Sequence, residues 1–507
     1  MPGKDASQKC TKVSDGSSVG WESDTRNPYN WSAAKKSFVF LTTMLVVLNS
    51  SMGSSLTGNA IQFITKEFSV ESQLQKALPM SIFLVGYVFG KIELTACLRE
   101  GPIVWAPLSE EFGRRLIVIA TFPVFTIFTM ACALAPTWPS FLTFRLFTGI
   151  FGSSIVALGP GILADIYRDP KARGWSIAIF MGVTGFGPML GPIVSGFTSP
   201  VLGWRWSFWV SLIFAGVTLC FVVFFPETYG TTLAVKYAPG NFIIPQHIAV
   251  GISKKQNRSW RRVISDVLLR PLHLLFTEPI VAACSMYLAL CYSIFYMSFN
   301  VFPAVFQELY GLSPGQCGLV QLAIGAGCVS SLPIYWLYEQ ILRRVLRSST
   351  GKPKEEYYRL PLACLGGPLF VVSLFWLGWS SRIDVPFAVP MIAGIPFGMG
   401  FMCTFIAILN YVTDAYQMFA ASANAASSCS RSFLATFLPL ASYPMLSHLG
   451  ISGTCSLLGG LSALMSVIPF LLIWKGEVIR SRSHFCNTLK DKDQTSETSQ
   501  NSVAGEP

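Results

Sequence analysis

SFVFLTTMLVVLNSSMGSSLTGNAIQFIT, residues 37–65, runs for 29 residues between Lys36 and Lys66 without a charged side chain. A helix of about 20 apolar residues crosses a bilayer's hydrocarbon core, so this stretch is long enough to span a membrane. The spacing recurs. Uncharged intervals of span length lie between Arg115 and Arg145, Arg173 and Arg205, Arg205 and Glu227, Glu278 and Glu308, Glu308 and Glu339, Arg359 and Arg382, and Asp384 and Asp414. A shorter interval separates Lys76 from Lys91, and a span carrying Arg145 follows the turn Ala135-Pro136-Thr137-Trp138-Pro139. Asp414 to Lys475 holds the last two, with Arg431 embedded in the first. The pattern predicts six spans, a basic loop and six more.

Composition agrees. Of 507 residues, 52% are apolar and 12% charged, about half the charge of an average soluble domain. Thirteen Trp, sixteen Tyr and thirty-nine Phe exclude a disordered chain. The division expected is a mostly disordered tail at 1–36, six spans in 37–226, a loop at 227–278, six spans in 279–475 and a tail at 476–507. The first apolar run begins near Phe38 after a polar stretch, so no signal peptide is expected.

The net charge of +11 finds its place in the loops. Twenty-nine of the 37 Lys and Arg fall in segments on the side of the N-terminus, against four on the other side (Lys66, Lys76, Arg205, Arg382). By the positive-inside rule both termini are cytoplasmic. Lys236, Lys254, Lys255, Arg258, Arg261, Arg262 and Arg270 then lie against the anionic inner leaflet, which accounts for the charge without nucleic acid. The thirteen cysteines contain no C-x-x-C pair and read as small packing residues, not a disulfide frame or a zinc site.

Local motifs narrow the class. GPIVWAPLSEEFGRR (101–115) joins spans 2 and 3, and GVTGFGPMLGPIVSGF (182–197) fills span 5. Arg145 is followed by Gly149 and Gly152 in span 4. Further matches are NPYNW (27–31), ADIYRDPKARG (164–174), GWRWSFW (203–209), PETYG (226–230), RLPLACLGGPLFVVSLFWLGW (359–379) and NYVTDAY (410–416). Over about residues 27–475 the chain resembles the fungal drug:proton antiporters of the major facilitator superfamily. The resemblance implies an all-α membrane protein with twelve transmembrane helices in two pseudo-symmetric six-helix halves, acting as a monomer.

Candidate residues follow. In span 5 the small residues Gly182, Gly185, Gly187, Gly191 and Gly196 permit close helix approach, and Pro188 and Pro192 free backbone groups and bend the helix. The resemblance gives this segment a gating role. Glu110, Gly113, Arg114 and Arg115 form a loop read as a conformational latch, with charge pairs between the halves made in one access state and broken in the other. Arg145 and Arg431 are charges inside spans and therefore functional candidates. Arg145 lies about six residues from the outer end, where outward snorkelling is the plain alternative. None of the 26 carboxylates sits mid-span, so proton coupling is implied by the family alone. Arg145, Asp165, Asp414 and Arg431 are its candidates. A substrate cavity at the midplane is expected to draw on Asn49, Arg145, Tyr292, Tyr296, Asn300, Asn410 and Tyr411. Aromatic walls with few fixed charges suit neutral or weakly charged amphipathic compounds.

Span 2 departs from the pattern. Its uncharged run stops at Gly90, and KIELTACLREG intervenes before PIVWAP; deleting 91–101 leaves an uncharged run from Ala77 to Ser109 of 22 residues. The segment is therefore read as an insertion, of the kind an untranslated piece of a mistaken gene model would give.

Enzyme chemistry has no foothold. The four histidines (His247, His273, His448, His484) make no H-x-x-x-H, GLSPG (311–315) lies in a loop between spans, and no Walker lysine motif exists. No metal and no cofactor is expected beyond a proton gradient. The partners are protons, the lipid bilayer and a small-molecule substrate. The function implied is export of toxins, drugs or secondary metabolites across the plasma membrane, with the vacuolar membrane as the alternative site. A proton-coupled uptake symporter or facilitator is the rival transport reading, and a non-transporting sensor the rival outside it.

Overall fold

A computed structural model describes residues 24–91, 105–237, 270–348, 356–416 and 420–481, with no strand among them. The proposed insertion at 91–101 lies outside the described residues except for Lys91, as does most of the central loop. The helices of the first half are α1 (Ala33–Ser55), α2 (Ile61–Glu67), α3 (Gln73–Lys91), α4 (Trp105–Phe112), α5 (Arg114–Ala133), α6 (Trp138–Ile166), α7 (Pro170–Leu202), α8 (Arg205–Val223) and α9 (Gly230–Tyr237). Those of the second half are α10 (Arg270–Thr277), α11 (Pro279–Pro303), α12 (Pro314–Ser348), α13 (Glu356–Ser380), α14 (Ala388–Ile392), α15 (Gly394–Tyr416), α16 (Ala420–Phe437) and α17 (Ser442–Ser481).

Ten segments among the described residues are long and apolar enough to cross a membrane. The last, Ser422–Gly476, has 55 residues, about 80 Å of helix against a core of about 30 Å. It divides at the 3₁₀ turn Leu438–Ala441 and at Gly450, where φ is +67°. α3, which packs between α6 and α16, and the double length of the last segment fit the plan of twelve spans expected from the sequence. Side chains such as Val201 and Trp474, 80% and 77% exposed, mark the outer wall as a surface for lipid.

The turn expected at 135–139 is built by a capping box. The Thr137 hydroxyl accepts from the Ser140 N–H at 3.4 Å and the Ser140 hydroxyl from the Thr137 N–H at 3.2 Å, which starts α6. Ahead of α1, Asn27 caps the short helix Pro28–Asn30, and the Lys35 ammonium sits 3.7 Å over the Trp31 ring. At the far end of the bundle, the Glu67 carboxylate accepts from Trp204 Nε1 at 2.6 Å and from Arg205, tying α2 to the start of α8. Its hydrogen bond from Arg205 holds the carboxyl below its ordinary pKa.

Each half has its own core, and the two repeat one device. Gly86 on α3 faces Gly149 on α6, and Gly327 on α12 faces Gly398 on α15, so closely that a Cβ at any of the four would strike the opposing backbone. The halves meet along α7 against α12 and α3 against α16. Met80 and Leu84 of α3 and Ala178 and Met189 of α7 belong to the second half's buried cluster.

Candidate transport pathway and charge nodes

Two cavities lie between the halves. The central one, about 40 Å³, is walled by Ser51, Tyr87 and Thr184 from the first half and by Tyr292, Tyr296 and Phe405, among others, from the second. That is little more than a single water's share of liquid volume, so the halves leave little free space at the centre. Its aromatic groups are locked together. The Tyr292 and Tyr296 rings meet edge to face at 5.0 Å, and Phe295 stacks on Phe401 at 4.6 Å. Tyr296 reaches the other half, its hydroxyl 3.2 Å from Ser54 Oγ. Across the cavity, the Tyr87 hydroxyl lies 2.5 Å from Ser50 Oγ, which donates to the Gly152 carbonyl.

The second cavity, about 400 Å³, opens at the end of the bundle where α1 finishes and α3 begins; Asn59, Gln62, Asn300, Gln307, Glu308 and His448 are among its lining residues. Asn59, on the wall of the second cavity, ties the two halves together. Its amide donates to the Pro192 carbonyl at 3.0 Å and the Pro314 carbonyl at 2.9 Å, and its oxygen accepts from Gln307 at 3.2 Å. One side chain thus binds both halves, and nothing in its local sequence sets it apart from other span-end asparagines.

Helix α7 is stripped of side chains on two sides. Gly187 and Gly191 lie against Ser51 and Ser55 of α1, while Gly182 faces Leu332, Gly185 faces Met402 and Gly196 faces the Pro314 carbonyl in the second half. The prolines explain the polar contacts. A helical carbonyl is satisfied by the N–H four residues on, and for Pro188 that residue is Pro192, which has none. The Ser55 hydroxyl fills the gap, donating to the Pro188 carbonyl at 2.5 Å.

At the opposite end from Asn59, charges form two matching nodes. Arg114, at the start of α5, pairs with Asp165 at the end of α6, Nε to Oδ2 at 3.2 Å, and its Nη1 donates to Ser109 at 2.5 Å. In the second half Arg359, at the start of α13, pairs with Asp414 at the end of α15 at 2.8 Å and with Glu339 on α12 at 3.5 Å. Gly113 has φ +95°, a conformation suited to glycine, and a Cβ there would overlap the Glu227 carboxylate. That carboxylate accepts from the N–H groups of Arg114 (2.9 Å), Arg115 (3.2 Å), Thr228 (3.0 Å) and Tyr229 (2.9 Å), capping α5 from 113 residues away. These latch contacts therefore lie at the first half and the start of the central loop. Glu110 is on α4, and its side chain lies outside the described residues.

The remaining predicted residues are distributed unevenly. Arg145 is 1% exposed and donates to three backbone carbonyls, Gly53 at 2.8 Å, Ser54 at 3.1 Å and Pro79 at 3.2 Å, with its guanidinium 4.6 Å over the Phe83 ring. It points into the first half, away from the snorkelling direction. Asn49 is buried there too, donating to Thr218 at 2.8 Å. Tyr292 and Tyr296 line the central cavity and Asn300 the larger one, where its amide donates to Ser442 at 2.9 Å. Tyr411 is buried in the second half's core, and Asn410 is half-buried; neither belongs to the lining of either cavity. Arg431 lies 4.6 Å over the Phe405 ring and 6.0 Å from that of Tyr292. Among the described residues no group of three His, Cys, Asp or Glu is placed to hold a metal.

Two helical halves meeting around a central cavity are the architecture of a membrane transporter. The chain belongs to the Major Facilitator Superfamily, whose family model it matches over residues 40–439. It is similar to the MFS-type efflux pump MFS2 of Trichophyton rubrum, 35% identical over 473 residues that cover 92% of this chain and 77% of that one. It is 34% identical to the efflux pump FUB11 of Gibberella moniliformis, over 89% of this chain and 74% of that one. It is also 34% identical to the MFS-type transporter atr4 of Stereocaulon alpinum, over 94% and 84%. Among solved structures, the proton:xylose symporter XylE shares the fold with a TM-score of 0.61 at 18% identity, over 88% of this chain and 96% of that one.

Proposed function

We propose that the chain exports small amphipathic organic compounds by proton antiport, and the observation that carries this reading is the aromatic cavity walled by both halves. Two of the relatives reported above are named efflux pumps, which supports export over uptake. The charged end faces the cytoplasm of a plasma-membrane monomer with both termini inside. The bonds of Asn59 and of Tyr296 hold the outer end shut, and breaking them opens the cavity outward, with α7 as the hinge against α1 and α12. Protonation of Asp165 or Asp414 releases Arg114 or Arg359 and so loosens the cytoplasmic end, giving the proton a place to act without a carboxylate in mid-span.

The test is cellular accumulation of a panel of amphipathic compounds in a fungal host lacking its own exporters, with and without a protonophore. Export predicts lower accumulation that the protonophore abolishes. Unchanged or raised accumulation, with the protein present at the plasma membrane, refutes it in favour of uptake or sensing.

A further inference from the structure

Of the two arginines within spans, Arg145 has its donors met by three carbonyls. Arg431 does not. A guanidinium carries five N–H donors, and the one hydrogen bond Arg431 makes among the described residues is a 3.4 Å contact to Ser427 on its own helix. Among the described residues no carboxylate pairs with it, whereas Arg114, Arg205, Arg343 and Arg359 each meet one. A charge inside a span with no counter-charge among the described residues is expensive, and its place beside the cavity points to a counter-charge brought by the substrate.

The surroundings say where that counter-charge sits. The two rings nearest the Arg431 guanidinium, Phe405 and Tyr292, are both walls of the central cavity. An aromatic face takes up the face of a guanidinium and leaves the N–H edge free for a planar acceptor. Asn424, Ser427 and Arg431, spaced by three and four, share one face of α16. Asn424 donates to Thr413 of α15 at 2.8 Å, so a polar lane leads from the charged end to the cation.

We propose that the central cavity selects organic anions, amphipathic carboxylates whose charge meets the N–H edge of Arg431 and whose apolar body lies along Tyr292 and Phe405. This narrows the expectation of neutral or weakly charged compounds, and it rests on the reading of that cavity as the substrate's site. Arg431 is then a specificity residue, not a proton carrier.

The purified full-length protein in detergent is titrated by calorimetry with three probes of one shape: 1-naphthoate, 1-naphthamide and 1-naphthylmethylammonium. The wild type is expected to bind the acid at least about tenfold tighter than the amide, the scale of one charge-assisted hydrogen bond. Arg431→Gln removes that preference while amide binding persists, which also reports that the variant is folded; Arg431→Lys keeps part of it, having charge without the planar fork. Equal affinity for acid and amide in the wild type overturns the inference without any variant, as does preference for the ammonium or a preference that survives in Arg431→Gln. If none of the probes binds, the inference falls while export measured in cells stands; if cells show no export either, the transport reading falls with it.

Discussion

The Ser55 hydroxyl on α1 meets the Pro188 carbonyl on α7 at 2.5 Å, and the hydrogen bond exists because Pro192 cannot supply the N–H that a helix would otherwise place there. A helix-breaking pair in one span is thus satisfied by a side chain 133 residues earlier. Ser55→Ala leaves the carbonyl buried and unpartnered, a loss of about 1–3 kcal/mol, readable as a lowered melting temperature in detergent. Gly191→Val is expected to do worse, because its side chain would enter the space of Ser55; transport should fall with α1 displaced.

Arg145 distinguishes scaffold from substrate contact through a conservative change. Lysine keeps the charge but cannot reach three carbonyls on α1 and α3 with a planar fork. Arg145→Lys is expected to reduce folded yield nearly as much as Arg145→Leu. A lysine variant of normal thermal stability with altered substrate affinity would reassign the residue to the transport site.

The Arg114–Asp165 node should differ from the far-end pair in coupling. Arg114 and Asp165 are 9% and 19% exposed at the side chain, Arg205 and Glu67 36% and 45%. Double-mutant cycles in thermal denaturation are expected to give about 1–3 kcal/mol for Arg114 with Asp165 and under about 1 kcal/mol for Arg205 with Glu67.

Glu67 also sets a pH dependence. Its pKa is lowered in the folded protein, chiefly by the hydrogen bond from Arg205. A depressed carboxylate contributes stability that is fully present above its unfolded value, about 4.3, and is lost as pH falls through the folded one. Melting curves from pH 6 down to 3 should show part of the acid destabilisation vanish in Glu67→Gln.

The two cavities predict separable effects for residues one helical turn apart. Tyr296→Ala opens the central wall and should change KM for a compound identified by the accumulation screen. Asn300→Ala removes bonds to Ser442 and Pro439 at the larger cavity and should leave binding at the centre unchanged, measured on the purified protein.

Much of this architecture is legible in composition. Charges cannot be left in hydrocarbon, so their intervals mark the spans, and the turn at Thr137 and the gap between halves appear where the intervals break. The glycines of α7 are visible as a motif, but which of them touch α1 and which the second half depends on the rotation of the helix, which spacing alone leaves open. The partners of Arg145 are backbone carbonyls 66, 91 and 92 residues away, and carbonyls carry no sequence signal. The Arg359–Asp414 node was findable: it repeats the placement of Arg114 and Asp165, and comparing the two halves position by position exposes it. Asn59 and Gln307 had no such marker, since each is an ordinary polar residue until the fold sets them face to face.

The bareness of α7 on both sides has a consequence for how such a chain can diverge. On the proposed hinge role, α7 brings to the cavity little beyond Met181, Thr184 and Pro188, so most of the discrimination falls to the rings of α11 and α15 and the polar face of α16. Changes there can retune what is carried while the moving parts stay untouched, so that one mechanical frame can serve unlike chemistries by swapping a few residues at its centre.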